Sequence, residues 1–291
     1  METGADTSDG GATGQPQSLF EYALAVTEGL PGRTAQAFGG IRFLYSPVLG
    51  MLYNVAQRLI DAKSRGAPPS ATDEALILTC NRLFNESFAG YVALTQGLLG
   101  PGHHHLRAAL EVTNLGILFI LRPEHAEPWL AGKEYSPGRV RALIDSSDEA
   151  RAWYSRLSKL THANASASGS SVVRLDETTR SDALFDGGYY APRAMASSCL
   201  AFVWLGLTFL RTFYGHNEDR LSELGLLWHP SLDLQELGDA DVTWEKFLNV
   251  ISDVAESVQQ EVLGMPDDEV TPPEWASEIL RSSSPAPPDF R

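Results

Sequence analysis

A chain of 291 residues, 43% hydrophobic and 20% charged, has room for one large globular domain or two small ones and a substantial core. Its net charge of −15 excludes broad electrostatic attraction to phosphate backbones. Residues 1–17 hold three acids and no base, and residues 264–291 hold six acids and two arginines, so the tails carry −7 and the body −8. Cys80 and Cys199 both lie in apolar runs, which reads as two buried free thiols rather than a disulfide. Met1–Gln17 is acidic and glycine-rich, with no apolar stretch of the kind a signal peptide needs, so a reducing cytoplasm is the expected setting.

In chain order, residues 1–17 read as a disordered tail. Ser18 with Glu21 has capping-box spacing and opens a short helix to about Leu30, ended by Pro31-Gly32. Ile41–Lys63 is broadly apolar, and Arg65-Gly66-Ala67-Pro68-Pro69 breaks it. Ser70 with Asp73 predicts a long helix to about Leu99, on which Arg82 and Glu86 stand four apart as an ion pair.

Pro101-Gly102 then leads into His103-His104-His105 and a helix over Leu106–Leu121 that is apolar almost all round. On this buried helix Arg107, Glu111 and Asn114 recur at spacings of four and three and make one polar stripe. Burying charge is costly without a partner, so the plainest reading is an Arg107–Glu111 pair that satisfies itself and a neighbouring helix. Three consecutive histidines point in three directions, whereas helical metal sites want an i, i+4 pair or a Glu-x-x-His pair, which the chain lacks. A solvated histidine cluster at a helix start is therefore expected, with no metal and no cofactor.

Pro123–Gly132 and Ser136–Asp145 read as short helical pieces, the second with Ser136 as N-cap and Pro137 in the first turn. Ser146 with Glu149 then opens a helix that runs to about His162. Trp153, Leu157, Leu160 and Asn164 share one of its faces, and Ser155, Ser158, Lys159 and His162 fall on the opposite one. Ala165–Tyr190 is a long polar loop, placed to cover His162 as a lid would. Ala194–Leu210 is free of charge, short of the roughly 20 residues a membrane span needs, and reads as a buried bundle helix. His216–Asp239 is an acidic connection with little periodicity. Asp241 is placed to cap a last helix over Val242–Leu263, with Trp244, Phe247, Ile251, Val254 and Val258 inward.

No strand pattern, repeat, phosphate loop or paired-cysteine motif appears, so the expected fold is an all-α bundle of roughly seven to nine helices. The domain organisation is a bundle over 18–263 between the tails 1–17 and 264–291.

An Arg-x-x-x-Glu on a buried helix, here Arg107 and Glu111, followed by Tyr154, Leu157, Ser158 and His162 before a loop, resembles the HEPN-like helical proteins, and the resemblance implies a HEPN-like core over about 72–214. Ribonucleases of that family carry an Arg, four to six residues and then a His, and Arg156 and His162 have five between them. The resemblance implies a metal-independent endoribonuclease acting on single-stranded RNA as a homodimer. His162 would serve as general acid or base and Arg156 would stabilise charge on the phosphate. Active members place a polar residue after the Arg, where this chain has Leu157. Near that motif Arg151, Arg156 and Lys159 are the available basic cluster.

The alternative is a non-catalytic module of the same kind that binds a protein partner or a small ligand. In it Arg107, Glu111, Asn114, Tyr154, Ser158, Lys159 and His162 form a supporting polar network. A third option is an enzyme acting on a small metabolite beneath the Ala165–Tyr190 loop.

Overall fold

A computed structural model of the chain describes residues 39–65, 70–96, 98–145, 151–152, 154–155, 173–176, 181–183, 192–226 and 243–264. The fold is all-α. Helix α1 (Gly39–Ser64) and α2 (Ala71–Thr95) are followed by α3 (Leu99–Leu121). A 3-10 turn (Pro123–His125) leads into the short helices α4 (Ala126–Leu130) and α5 (Pro137–Leu143). The chain resumes as α6 (Pro192–His216), α7 (Glu218–Leu224) and α8 (Trp244–Leu263). Residues 173–176 and 181–183 add a short antiparallel pairing that the sequence pattern did not suggest, Val173 opposite Ala183. The helix expected over Ser18–Leu30, both tails and most of the helix expected up to His162 lie outside the described residues.

Local chemistry sets the helix ends. Ser70 Oγ accepts from the Asp73 N–H at 3.0 Å and caps α2, as its spacing predicts. Ser136 Oγ accepts from the Arg139 N–H at 3.3 Å and caps α5. For α8 the cap is Thr243, whose Oγ1 accepts from the Lys246 N–H; Asp241, expected in that role, lies outside the described residues.

Two boundaries differ from expectation. Helix α2 ends at Thr95, and α3 begins at Leu99 rather than Leu106, with Pro101 in its first turn. Proline costs nothing there because a first-turn N–H has no intrahelical acceptor. The three histidines therefore lie within the helix. The second difference is α7, inside a stretch read as an acidic connection. Leu221, Leu224 and Leu226 are all buried, and Gly225 ends the helix at φ 68°, a left-handed cap that favours glycine.

The core lies where α6 is enclosed by α1, α2, α3 and α8. Met195, Cys199, Phe202, Leu207, Phe209, Leu210 and Phe213 of α6 are buried. That enclosure is why the helix is apolar: Met195–His216 is long and apolar enough to cross a membrane, yet 67% of its most apolar window is buried inside the bundle. Helix α8 contributes Phe247, Ile251 and Val258 as expected, together with Leu248, Ala255 and Val262, whereas Trp244 and Val254 are only partly covered. Both cysteines are free and buried, and burial pushes their thiols well up, so they pack as small apolar groups.

Helix crossings are close because glycines receive large side chains. A Cβ added at Gly90 would stand 2.2 Å from Phe202 Cζ, at Gly116 2.5 Å from Phe209 Cε2, and at Gly206 2.4 Å from Val48 Cγ1. Gly215, also on α6, has nothing within 4 Å of such a Cβ. Alanine would gain about 1 kcal/mol of helix propensity at either kind of site. At Gly90 overpacking against a buried ring costs about 1–3 kcal/mol and outweighs that gain. Gly90→Ala is therefore expected to lower the urea unfolding midpoint, while Gly215→Ala leaves it unchanged or raises it.

Candidate functional site

The polar stripe on α3 is a built cluster. Arg107 and Glu111 stand one turn apart, and Arg107 Nε donates to Glu111 Oε1 at 3.1 Å. Tyr154 reaches the pair from the segment after α5. Its hydroxyl donates to the same Glu111 oxygen at 3.0 Å and accepts from Arg107 Nη2 at 3.3 Å. The three groups close a triangle in which the carboxylate takes two donors and the phenol oxygen both donates and accepts.

The cluster is only partly buried, with the Arg107 and Glu111 side chains 22% and 32% exposed. Burial of Arg107 works against its charge, but the hydrogen bonds to Tyr154 and Glu111 outweigh that and hold the guanidinium pKa above its ordinary value. Arg107 thus remains a permanent cation, locally neutralised.

A fourth member escaped the sequence reading. Arg141 of α5 lays its guanidinium 3.8 Å from the centre of the Tyr154 ring, while Arg107 lies 5.5 Å from it. Arg141 Nη1 is buried without a hydrogen-bond acceptor among the described residues, and its guanidinium lies against the face of the Tyr154 ring. Helix α5 was legible from Ser136 and Pro137, but that Arg141 meets Tyr154 depends on how α5 folds back on α3, which no local pattern encodes.

Asn114 continues the stripe in sequence but not in contact. It is 8% exposed and lines a separate cleft between α3, α6 and α8. Arg156, Ser158, Lys159 and His162 lie outside the described residues. Arg151 is helical and exposed.

The histidines do point three ways, as consecutive helical residues must, but two are half-buried and hydrogen-bonded to neighbouring helices. His103 Nε2 lies 3.1 Å from Ser198 Oγ of α6, and His105 Nδ1 lies 2.9 Å from Glu86 Oε2 of α2. His104 is exposed. The expected Arg82–Glu86 pair is present at 3.6 Å, and the other Glu86 oxygen takes His105. His103 and His105 therefore fasten α3 to a helix on each side. Among the described residues no group of three or more His, Cys, Asp or Glu side chains could hold a metal ion.

Protein-family models, curated proteins and solved structures were compared with the chain, and none matches.

The triangle makes a stability prediction with a sign that depends on the partner. Arg107→Met removes the cation beside Glu111, and Glu111→Leu removes the carboxylate beside Arg107, so each single change should cost about 1–2 kcal/mol after allowance for partial exposure. The double change Arg107→Met with Glu111→Leu removes both charges and should cost clearly less than the two single costs added. Chemical denaturation of the four proteins of the cycle checks this.

Proposed function

We propose that this chain is a non-catalytic helical binding module whose Arg107–Glu111–Tyr154–Arg141 cluster is a structural lock. The observation that carries the reading is the closed triangle. Glu111 Oε1 takes both Arg107 and Tyr154, and the same tyrosine occupies the face of Arg141. A site built to receive a phosphate or a reacting hydroxyl holds a donor aimed at the space the substrate will fill. Here the two guanidiniums are turned onto one tyrosine, which binds the segment containing Tyr154 to α3 and α5.

The ribonuclease reading implied by the HEPN-like resemblance rests on His162 and Arg156, both outside the described residues, and on a homodimer. Leu157 after Arg156 and the acidic body weigh against it. A protein partner has a surface to meet on α1 and α2. Tyr53 and Phe88 are exposed there, and their rings lie beside Phe84 at centroid distances of 6.5 Å.

One experiment separates the readings. Purified full-length protein is incubated with a mixed pool of single-stranded RNA, with and without EDTA. The module reading expects the pool to stay intact in both. Cleavage that survives EDTA and disappears in both His162→Ala and Arg156→Ala would overturn it in favour of the ribonuclease, with the two losses not adding because the residues act as a unit. Tyr154→Phe should lower stability by about 1 kcal/mol through the lost hydroxyl.

A further inference from the structure

Helices α3 and α8 each pack along α6 with little direct contact between them, and a cleft of about 650 Å³ opens in the gap. This is the size range of small-molecule sites. Its floor is apolar and buried: Leu110, Ile117, Leu200, Ala201 and Val262. Trp204 stands at the rim, where its indole Nε1 donates to Gln259 Oε1 at 3.2 Å, and Leu263 beside it is 49% exposed.

Two features say what the cleft accepts. No charged side chain lines it among the described residues, although the chain as a whole carries −15. An ionised ligand would lose its hydration there and gain no counter-charge. The second feature is Thr113. It is 1% exposed and lines the floor, yet its Oγ1 has no hydrogen-bond partner among the described residues. Helical threonines ordinarily bond back to the carbonyl one turn earlier, as Thr79 does to Ala75 at 2.9 Å. A buried hydroxyl left unpaired costs free energy that a polar group placed against it recovers. Asn114, next to it and also buried, lines the same cleft.

We infer that the cleft between α3, α6 and α8 is a binding site for a neutral, largely apolar small molecule with a polar group at one end. The apolar body lies on Leu110, Ile117, Leu200 and Val262, and the polar group meets Thr113 and Asn114. This rests on the reading of the chain as a binding module and names the class of ligand it takes. Trp204 and Gln259 close one side of the mouth.

The test uses the full chain and the neutral fluorophore N-phenyl-1-naphthylamine, whose emission strengthens and shifts blue in apolar surroundings and which carries one N–H. Saturable binding at about one probe per chain is expected. Ser197→Trp and Thr208→Trp, both at exposed rim positions, should each weaken it at least tenfold while leaving the circular dichroism melt in place. Thr113→Val keeps the shape and removes the hydroxyl, and should weaken binding about threefold to tenfold. Tyr53→Ser with Phe88→Ser, on the far aromatic surface, should leave binding unchanged. Absence of saturable binding would overturn the proposal, as would full binding in both rim variants or loss of binding in the Tyr53/Phe88 protein. Such a failure would leave the polar lock standing, because the lock is tested separately, by the Arg107/Glu111 denaturation cycle, by Tyr154→Phe and by the RNA pool.

Discussion

Everything in this fold depends on α6 being admitted to the middle of the bundle. Helices with full-sized side chains on both surfaces keep their axes about 8–10 Å apart. Glycine at the crossing removes one layer and lets a large side chain from the facing helix occupy the space. Gly90 and Gly116 receive Phe202 and Phe209, and Gly206 receives Val48. Gly102 likewise receives Leu94 where α3 turns back along α2. The aromatic rings of α6 fill notches rather than spreading the helices, which is how a helix charge-free over Ala194–Leu210 is enclosed by four neighbours.

That enclosure also sorts the polar groups of α3. Its faces toward α2 and α6 are pinned by His105 and His103, which give the two interfaces a register that apolar packing alone does not specify. The side toward α5 carries the Arg107–Glu111 pair, covered by Tyr154. On the side turned toward α8, Thr113 Oγ1 has no such partner among the described residues and lies with Asn114 in the floor of the cleft. One helix therefore carries a satisfied polar cluster and, within two turns of it, a buried hydroxyl without a partner among the described residues.

The helical class was legible from periodicity and caps: Ser70 and Ser136 behave as their spacing says, and the inward residues of α8 were read at Phe247, Ile251 and Val258. Leu106 failed as a helix start because Pro101-Gly102 reads as a breaker, although proline in a first turn is harmless. Helix α7 was missed because its apolar signal is two leucines among acids, too short for a period to emerge. At the site, the Arg107–Glu111 pairing was visible because four-apart spacing is local. Arg141 on Tyr154, His103 on Ser198 and the gap above Thr113 are tertiary facts. Each arises where two distant segments happen to meet, and a single sequence carries no record of such meetings.

The Asp73–Arg220 contact has a consequence for how the chain assembles. Both terminal nitrogens of the Arg220 guanidinium, Nη1 and Nη2, donate to the Asp73 carboxylate at 3.0 Å, joining the first turn of α2 to α7 across 147 residues of sequence. Helices α2 and α3 are neighbours in sequence and meet through a short turn, so their pairing closes little loop. Helix α6 reaches its place only after the whole stretch from α3 has been made, and its arrival lets Arg220 find Asp73. Loop-closure entropy grows only slowly with length, so the delay is set more by synthesis than by search. Until then the notches at Gly90 and Gly116 lack the rings that fill them. The nascent amino-terminal half is thus a receptor awaiting its own later segment, and the bidentate contact forms only once that segment has docked.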